Sequence, residues 1–152
     1  MFDYNMVLID GSIDVDADTA ATFVAATSTT RSATTGAAVI DLGVGGTPAS
    51  GLSVVLIIPA LTSSTDYLVA QVQASDAEAF GSDVHLMCAF DVAAATTGRI
   101  LASECTTGLV VIRRFATMER YVRASITPTK GTGDGSFSTL KMYITPFAFN
   151  VL

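Results

Sequence analysis

No stretch of this chain repeats apolar residues at helical i, i+3, i+4, i+7 spacing between caps, and that absence governs what it can fold into. Short β-branched and aromatic runs are separated instead by clusters of Gly, Pro, Asp and Ser. They predict eight strands, over residues 37–42, 52–58, 66–73, 83–90, 98–104, 108–115, 119–127 and 136–144. Short strands at this spacing imply an all-β sandwich or barrel.

Several runs alternate with the period of two that a half-buried strand requires. Over 83–90, Val84, Leu86, Cys88 and Phe90 fall on one face, with Asp83, His85 and Met87 on the other. Over 119–127, Val122, Ala124 and Ile126 oppose Tyr121, Arg123 and Ser125. Over 136–144, Leu140, Met142 and Ile144 oppose Thr139, Lys141 and Tyr143. One-sided burial of this kind belongs to an antiparallel sandwich. The run from Val54 to Ile58 is apolar on both faces, which fits either a covered central strand or a subunit contact.

The connections point to hairpins. Residues 130–135, Lys-Gly-Thr-Gly-Asp-Gly, offer several positions able to take positive φ, and residues 75–81 form a second loop. Residues 43–46, Gly-Val-Gly-Gly, read as a turn, since neither a following helix nor a phosphate-binding Lys accompanies them. The Ala/Thr/Ser-rich stretch 16–36 reads as a long surface excursion within one domain spanning 1–152. A chain of this length buries a core without needing disulfides or a metal. Cys88 and Cys105 therefore read as small buried hydrophobes. The start, MFDYNMVLIDG, lacks the basic region of a secretory signal, and the longest apolar run is too short for a bilayer. A soluble protein made in a reducing cytoplasm is expected.

Charge narrows the function. Only 14% of residues are charged, against about 25% in typical domains, so much of the exterior is neutral or covered by other chains. The net charge of −6 argues against nucleic-acid binding, which needs clustered Lys and Arg. Residues 1–95 carry −10 and residues 96–152 carry +4. Interleaving strands would let these compensate within one sandwich; contact between copies is the other reading.

Catalytic chemistry finds little support. His85 is the only histidine, lies on a non-core face and has no nucleophile elbow to serve. Asp14, Asp16 and Asp18 resemble the start of a calcium loop, but Thr19 and Ala25 stand where an EF-hand needs Gly and Glu. No cysteine or histidine spacing suits a metal. No enzyme activity and no cofactor are expected. Arg113, Arg114, Arg120 and Arg123 are the densest bases, and in an acidic chain they point to salt bridges between strands or subunits. The two ends are unusually apolar and aromatic, with Phe2, Tyr4 and Met6 at one and Phe147 and Phe149 at the other. They either tuck under their own sandwich or reach onto neighbouring subunits as an N-terminal arm (1–12) and a C-terminal tail (145–152).

Residues 40–43 (Ile-Asp-Leu-Gly) after a Ser/Thr/Ala-rich lead-in, residues 71–80 (Gln-Val-Gln-Ala-Ser-Asp-Ala-Glu-Ala-Phe) and residues 119–123 (Glu-Arg-Tyr-Val-Arg) occur in a telling order. A Gly-rich hairpin then leads into residues 135–139 (Gly-Ser-Phe-Ser-Thr). In that order and spacing the chain resembles the jelly-roll capsid cement, or decoration, proteins of tailed bacteriophages, across most of 37–144. The 16–36 stretch and the closing PFAFNVL depart from the family pattern. The resemblance implies an antiparallel eight-stranded jelly roll that adds to the outer surface of the phage head and clamps major capsid subunits against internal DNA pressure. Its partners would be the major capsid protein and further copies of itself, as a dimer or trimer, with no nucleic acid and no membrane. Its place would be the virion exterior, after assembly in the host cytoplasm. Phe2, Tyr4, Met6, Arg113, Arg114, Phe147 and Phe149 are the expected contact residues. A jelly-roll receptor- or carbohydrate-binding module of a phage fibre is the alternative, though the chain has no Trp for a sugar platform. A cupin-type enzyme would need more than one histidine.

Overall fold

The computed structural model describes residues 6–10, 39–60, 67–93, 100–101, 107–129 and 140–146. They form an all-β sandwich of two sheets. In chain order the strands are β1 (Val7–Asp10), β2 (Ile40–Asp41), β3 (Leu52–Ile58), β4 (Tyr67–Ser75), β5 (His85–Ala93), β6 (Ile100–Leu101), β7 (Leu109–Phe115), β8 (Tyr121–Thr129) and β9 (Lys141–Thr145). Each of the eight expected runs overlaps one of them, with β4, β5, β8 and β9 extending one to three residues beyond the expected ends. The addition is β1, which lies inside the stretch expected to be an N-terminal arm; it pairs with β9, so part of that stretch docks on its own sheet. Thr145, placed at the start of the expected tail, ends β9. The 16–36 excursion, Cys105, Asp14, Asp16 and Asp18 and the turn at 130–135 lie outside the described residues.

The sheet orders are β1-β9-β3-β7 and β2-β8-β4-β5-β6. Four antiparallel pairs, β1 with β9, β2 with β8, β3 with β7 and β4 with β5, nest inside one another along the chain. The main chain thus behaves as one long hairpin with its tip at 76–84, rolled until its pairs alternate between two layers. The short β6 pairs parallel with β5 and lies outside this scheme.

Period-two patterning builds the core. Val54, Leu56 and Ile58 of β3 and Met142 and Ile144 of β9 face Leu68, Ala70 and Val72 of β4, Phe90 and Val92 of β5, and Val122, Ala124 and Ile126 of β8. Leu8, Ile9, Leu56, Leu68, Phe90 and Met142 are fully enclosed. β3 is an inner strand, bonded to β7 and β9, with Val54, Leu56 and Ile58 in the core and Val55 and Ile57 on the sheet's other face.

One expected face is corrected. In β5, Cys88 pairs with Val72, but Leu86 pairs with Gln73, so Met87 is an extra residue, a β-bulge. A one-residue slip moves the side chains on the far side of the bulge, here those nearer the start of the strand, to the opposite face. Leu86 is accordingly 56% exposed and Val84 is also exposed, while Met87, expected outside, packs half-buried against the core.

Two loops are held by specific means. The 76–84 tip is anchored by Phe80, whose amide donates to the Ala77 carbonyl at 3.0 Å and whose ring is buried despite a φ of 50°. Residues 43–46 form the expected turn, closed by the Gly46 amide on the Gly43 carbonyl at 3.3 Å. Gly46, at φ +71°, sits so close to the backbone of Thr117, Met118 and Glu119 that a Cβ has no room; Gly45, at φ +96°, faces open space.

Two outcomes follow. Phe90→Ala should lower unfolding free energy by about 3–5 kcal/mol in denaturant titration, the usual cost of emptying an aromatic site. Gly46→Ala should cost more than Gly45→Ala in the same assay, because both share a left-handed backbone and only the first adds a backbone clash.

Candidate interaction surface

The two outward faces of the sandwich differ in kind. Register carries a row across the four-stranded sheet from Val7 through Tyr143 and Val55 to Ile112. Beside it runs Lys141, Ile57 and Val110, and on the other flank Thr145, Ser53 and Arg114. Val55 is buried though it points away from the core, and it stands between Tyr143 and Ile112 on the neighbouring strands. Val110 stands 55% exposed. Apolar side chains dominate the centre of this face.

The five-stranded sheet presents polar rows instead. Asp91, Val69 and Thr127 share one, Ala89, Gln71 and Ser125 the next, and Leu86, Gln73 and Arg123 the third. Arg123 Nε donates to Gln73 Oε1 at 2.9 Å, and Gln73 Nε2 donates to Gln71 Oε1 at 3.2 Å. The Arg123 guanidinium also lies 4.1 Å from the centre of the Phe80 ring. These contacts tie together the part of this face around Gln71, Gln73 and Arg123.

The loop end of the sandwich carries the remaining charge. Arg120 grips Asp41 through two bonds, Nε to Oδ1 at 2.9 Å and an Nη to Oδ2 at 2.7 Å. Those donors, with the Gly43 amide at 2.8 Å, hold the Asp41 carboxyl down at about 2. The pair ties the end of β2 to the turn before β8, an inter-strand salt bridge of the kind expected. Nearby, Glu119 Oε1 lies 3.5 Å from His85 Nε2. Loss of solvent and the neighbouring Asp76 carboxylate raise the Glu119 carboxyl, against the opposing pull of His85. Among the described residues no group of three metal-ligating side chains is placed to hold an ion.

The expected contact residues are distributed as follows. Arg113 and Arg114 are both exposed on β7, the last strand of the four-stranded sheet. An Nη of Arg114 donates to the Ser50 carbonyl at 2.6 Å, and no described carboxylate pairs with either arginine. Met6 is half-buried and packs against the core of its own sandwich. Phe2, Tyr4, Phe147 and Phe149 lie outside the described residues. Sequence reasoning missed the row from Val7 to Ile112, because hydropathy does not tell an outward valine from an inward one. Its signal was the two-sided apolar run at Val54–Ile58, left open between core and contact. His85, expected on a non-core face, is exposed at the start of β5.

Comparison with known proteins adds no relative: neither a family model nor a curated protein matches the chain.

Cys88 points inward at the edge of the core, and burial pushes its thiol up to about 11, against the opposing influence of Arg113 and a backbone bond at Val72. In a Cys105→Ser chain, iodoacetamide at pH 8 should modify Cys88 far more slowly than in the urea-unfolded protein. The folded-state rate should keep climbing beyond pH 9, as mass spectrometry of timed samples would read.

Proposed function

We propose that this chain is a capsid decoration protein of a tailed phage: a non-enzymatic jelly roll that binds the outside of the major capsid lattice and stabilises the head. The observation that carries this reading is the outward row Val7–Tyr143–Val55–Ile112 on the four-stranded sheet, with the exposed Val110 beside it. A sheet face of that composition gains from being covered by another protein surface. The nested pairing of β1 with β9, β2 with β8, β3 with β7 and β4 with β5 supports the jelly-roll reading, since that is how a rolled hairpin distributes its strands. It agrees with the resemblance carried by residues 40–43, 71–80 and 119–123. Copies acting together bridge several capsid subunits, so modest single contacts suffice through avidity.

The test is direct addition of the purified full-length chain to heads of the encoding phage that lack it. Bound protein should sediment with the heads and raise the temperature at which they release DNA. Val110→Asp, at the more exposed position, should weaken attachment while leaving the isolated protein's unfolding midpoint nearly unchanged. Heads that neither take up the chain nor gain heat resistance would overturn the reading.

A further inference from the structure

We propose that the outer edge of β7 is a docking site for an extended acidic segment of a partner protein, which adds to the four-stranded sheet as a further strand.

β7 is the longest edge strand among the described residues. All seven of its residues pair in unbroken register with β3, from Leu109 opposite Ile58 to Phe115 opposite Leu52. The other sheet edges are poorer templates: β1 has four residues and an irregular register, and β2 and β6 have two each. Proteins usually blunt an edge by shortening it, bulging it, placing Pro in it or charging it. β7 is neither short, bulged nor interrupted by Pro, and its guard against indiscriminate pairing is the charge of Arg113 and Arg114, which an acidic strand would neutralise. Among the described residues no strand lies on its far side. A row of main-chain donors and acceptors is therefore presented along about 20 Å of strand.

Side chains state what kind of strand fits. Arg113 and Arg114 are adjacent, so they project to opposite faces of the sheet, and a strand laid beside β7 meets a guanidinium whichever face its acids occupy. Neither arginine has a carboxylate partner among the described residues, in a chain whose net charge is −6. Val110 and Ile112 supply apolar contact on the outward face for the partner's alternate residues. β7 lies against β5 of the facing sheet, whose order ends in β6 beside β5. A second copy of β7 is the poorer occupant, since β7 contains no acid and two such strands would gather four guanidiniums.

The inference stands apart from the capsid reading, because the probe is a synthetic peptide. A fluorescein-labelled, acetylated peptide alternating Asp and Val over nine residues is titrated with the full-length chain at low salt and followed by anisotropy. Three comparisons are made: the Lys-Val counterpart, the acidic peptide N-methylated at alternate residues to remove donors from one edge, and an Arg113→Glu/Arg114→Glu protein whose unfolding midpoint has been checked. Saturable binding of the acidic peptide is expected, with none for the lysine peptide. N-methylation should weaken it by about tenfold or more, as lost main-chain bonds require. The double variant should exchange its preference for the lysine peptide. Equal binding of acidic and basic peptides would overturn the proposal, as would indifference to N-methylation, which would mean charge attraction without strand addition. Self-association of the chain that shuts out the peptide would give the edge to a second copy and overturn it too.

Discussion

The structure depends on one packing event, the closure of β3 and β9 over β4, β5 and β8. Leu56, Met142 and Ile144 come from one sheet and Leu68, Phe90, Val92 and Val122 from the other; each is almost wholly removed from water. Burial of a side chain of this size is worth roughly 1.5–3 kcal/mol. No pair of strands could hold its register without that shared layer, because an isolated hairpin is marginal in water. Polar groups caught in the construction are satisfied: among the described residues no buried side-chain nitrogen or oxygen lacks a hydrogen-bond partner. Ser75, fully enclosed at the end of β4, accepts from the Ala77 amide and donates to the Ser82 carbonyl, and so starts the loop that Phe80 anchors.

What the chain discloses before folding is its local periodicity. β8 and β9 were legible because Val122, Ala124 and Ile126, and Met142 and Ile144, alternate without interruption between a core and an outer face. The bulge at Met87 was not, because its cause is non-local: β4 and the strained tip, with Phe80 and Asp83 at positive φ, decide where β5 begins to pair. β1 was hidden for another reason. Four residues, Val-Leu-Ile-Asp, inside an apolar terminus give no period to read, and only β9, more than a hundred positions later, identifies them as a strand.

The candidate surface was legible only in part. Arg113 and Arg114 stand out by charge density, and they are exposed. Arg120 stands out equally but is committed to Asp41, 79 positions away, and nothing in either local sequence marks that pairing. Val55 resembles the core residues around it in composition, yet it belongs to the outward row with Tyr143 and Ile112. Composition can say that a surplus of apolar side chains exists. Only strand register says which of them point out.

The nesting of the strand pairs has a consequence for how the molecule comes into being. Among the described residues β1 pairs only with β9, and β2 only with β8, so these earlier strands wait for ones made much later. Such separations make loop closure expensive before any contact rewards it, and they place the chain among slow folders of high contact order. While synthesis proceeds, the apolar strand β3 remains without either neighbour, β7 or β9, and is open to pairing with other nascent chains. The β4–β5 hairpin, whose strands are joined by a short loop, is the natural place for structure to begin. Assembly would then proceed outward from that tip toward the two ends.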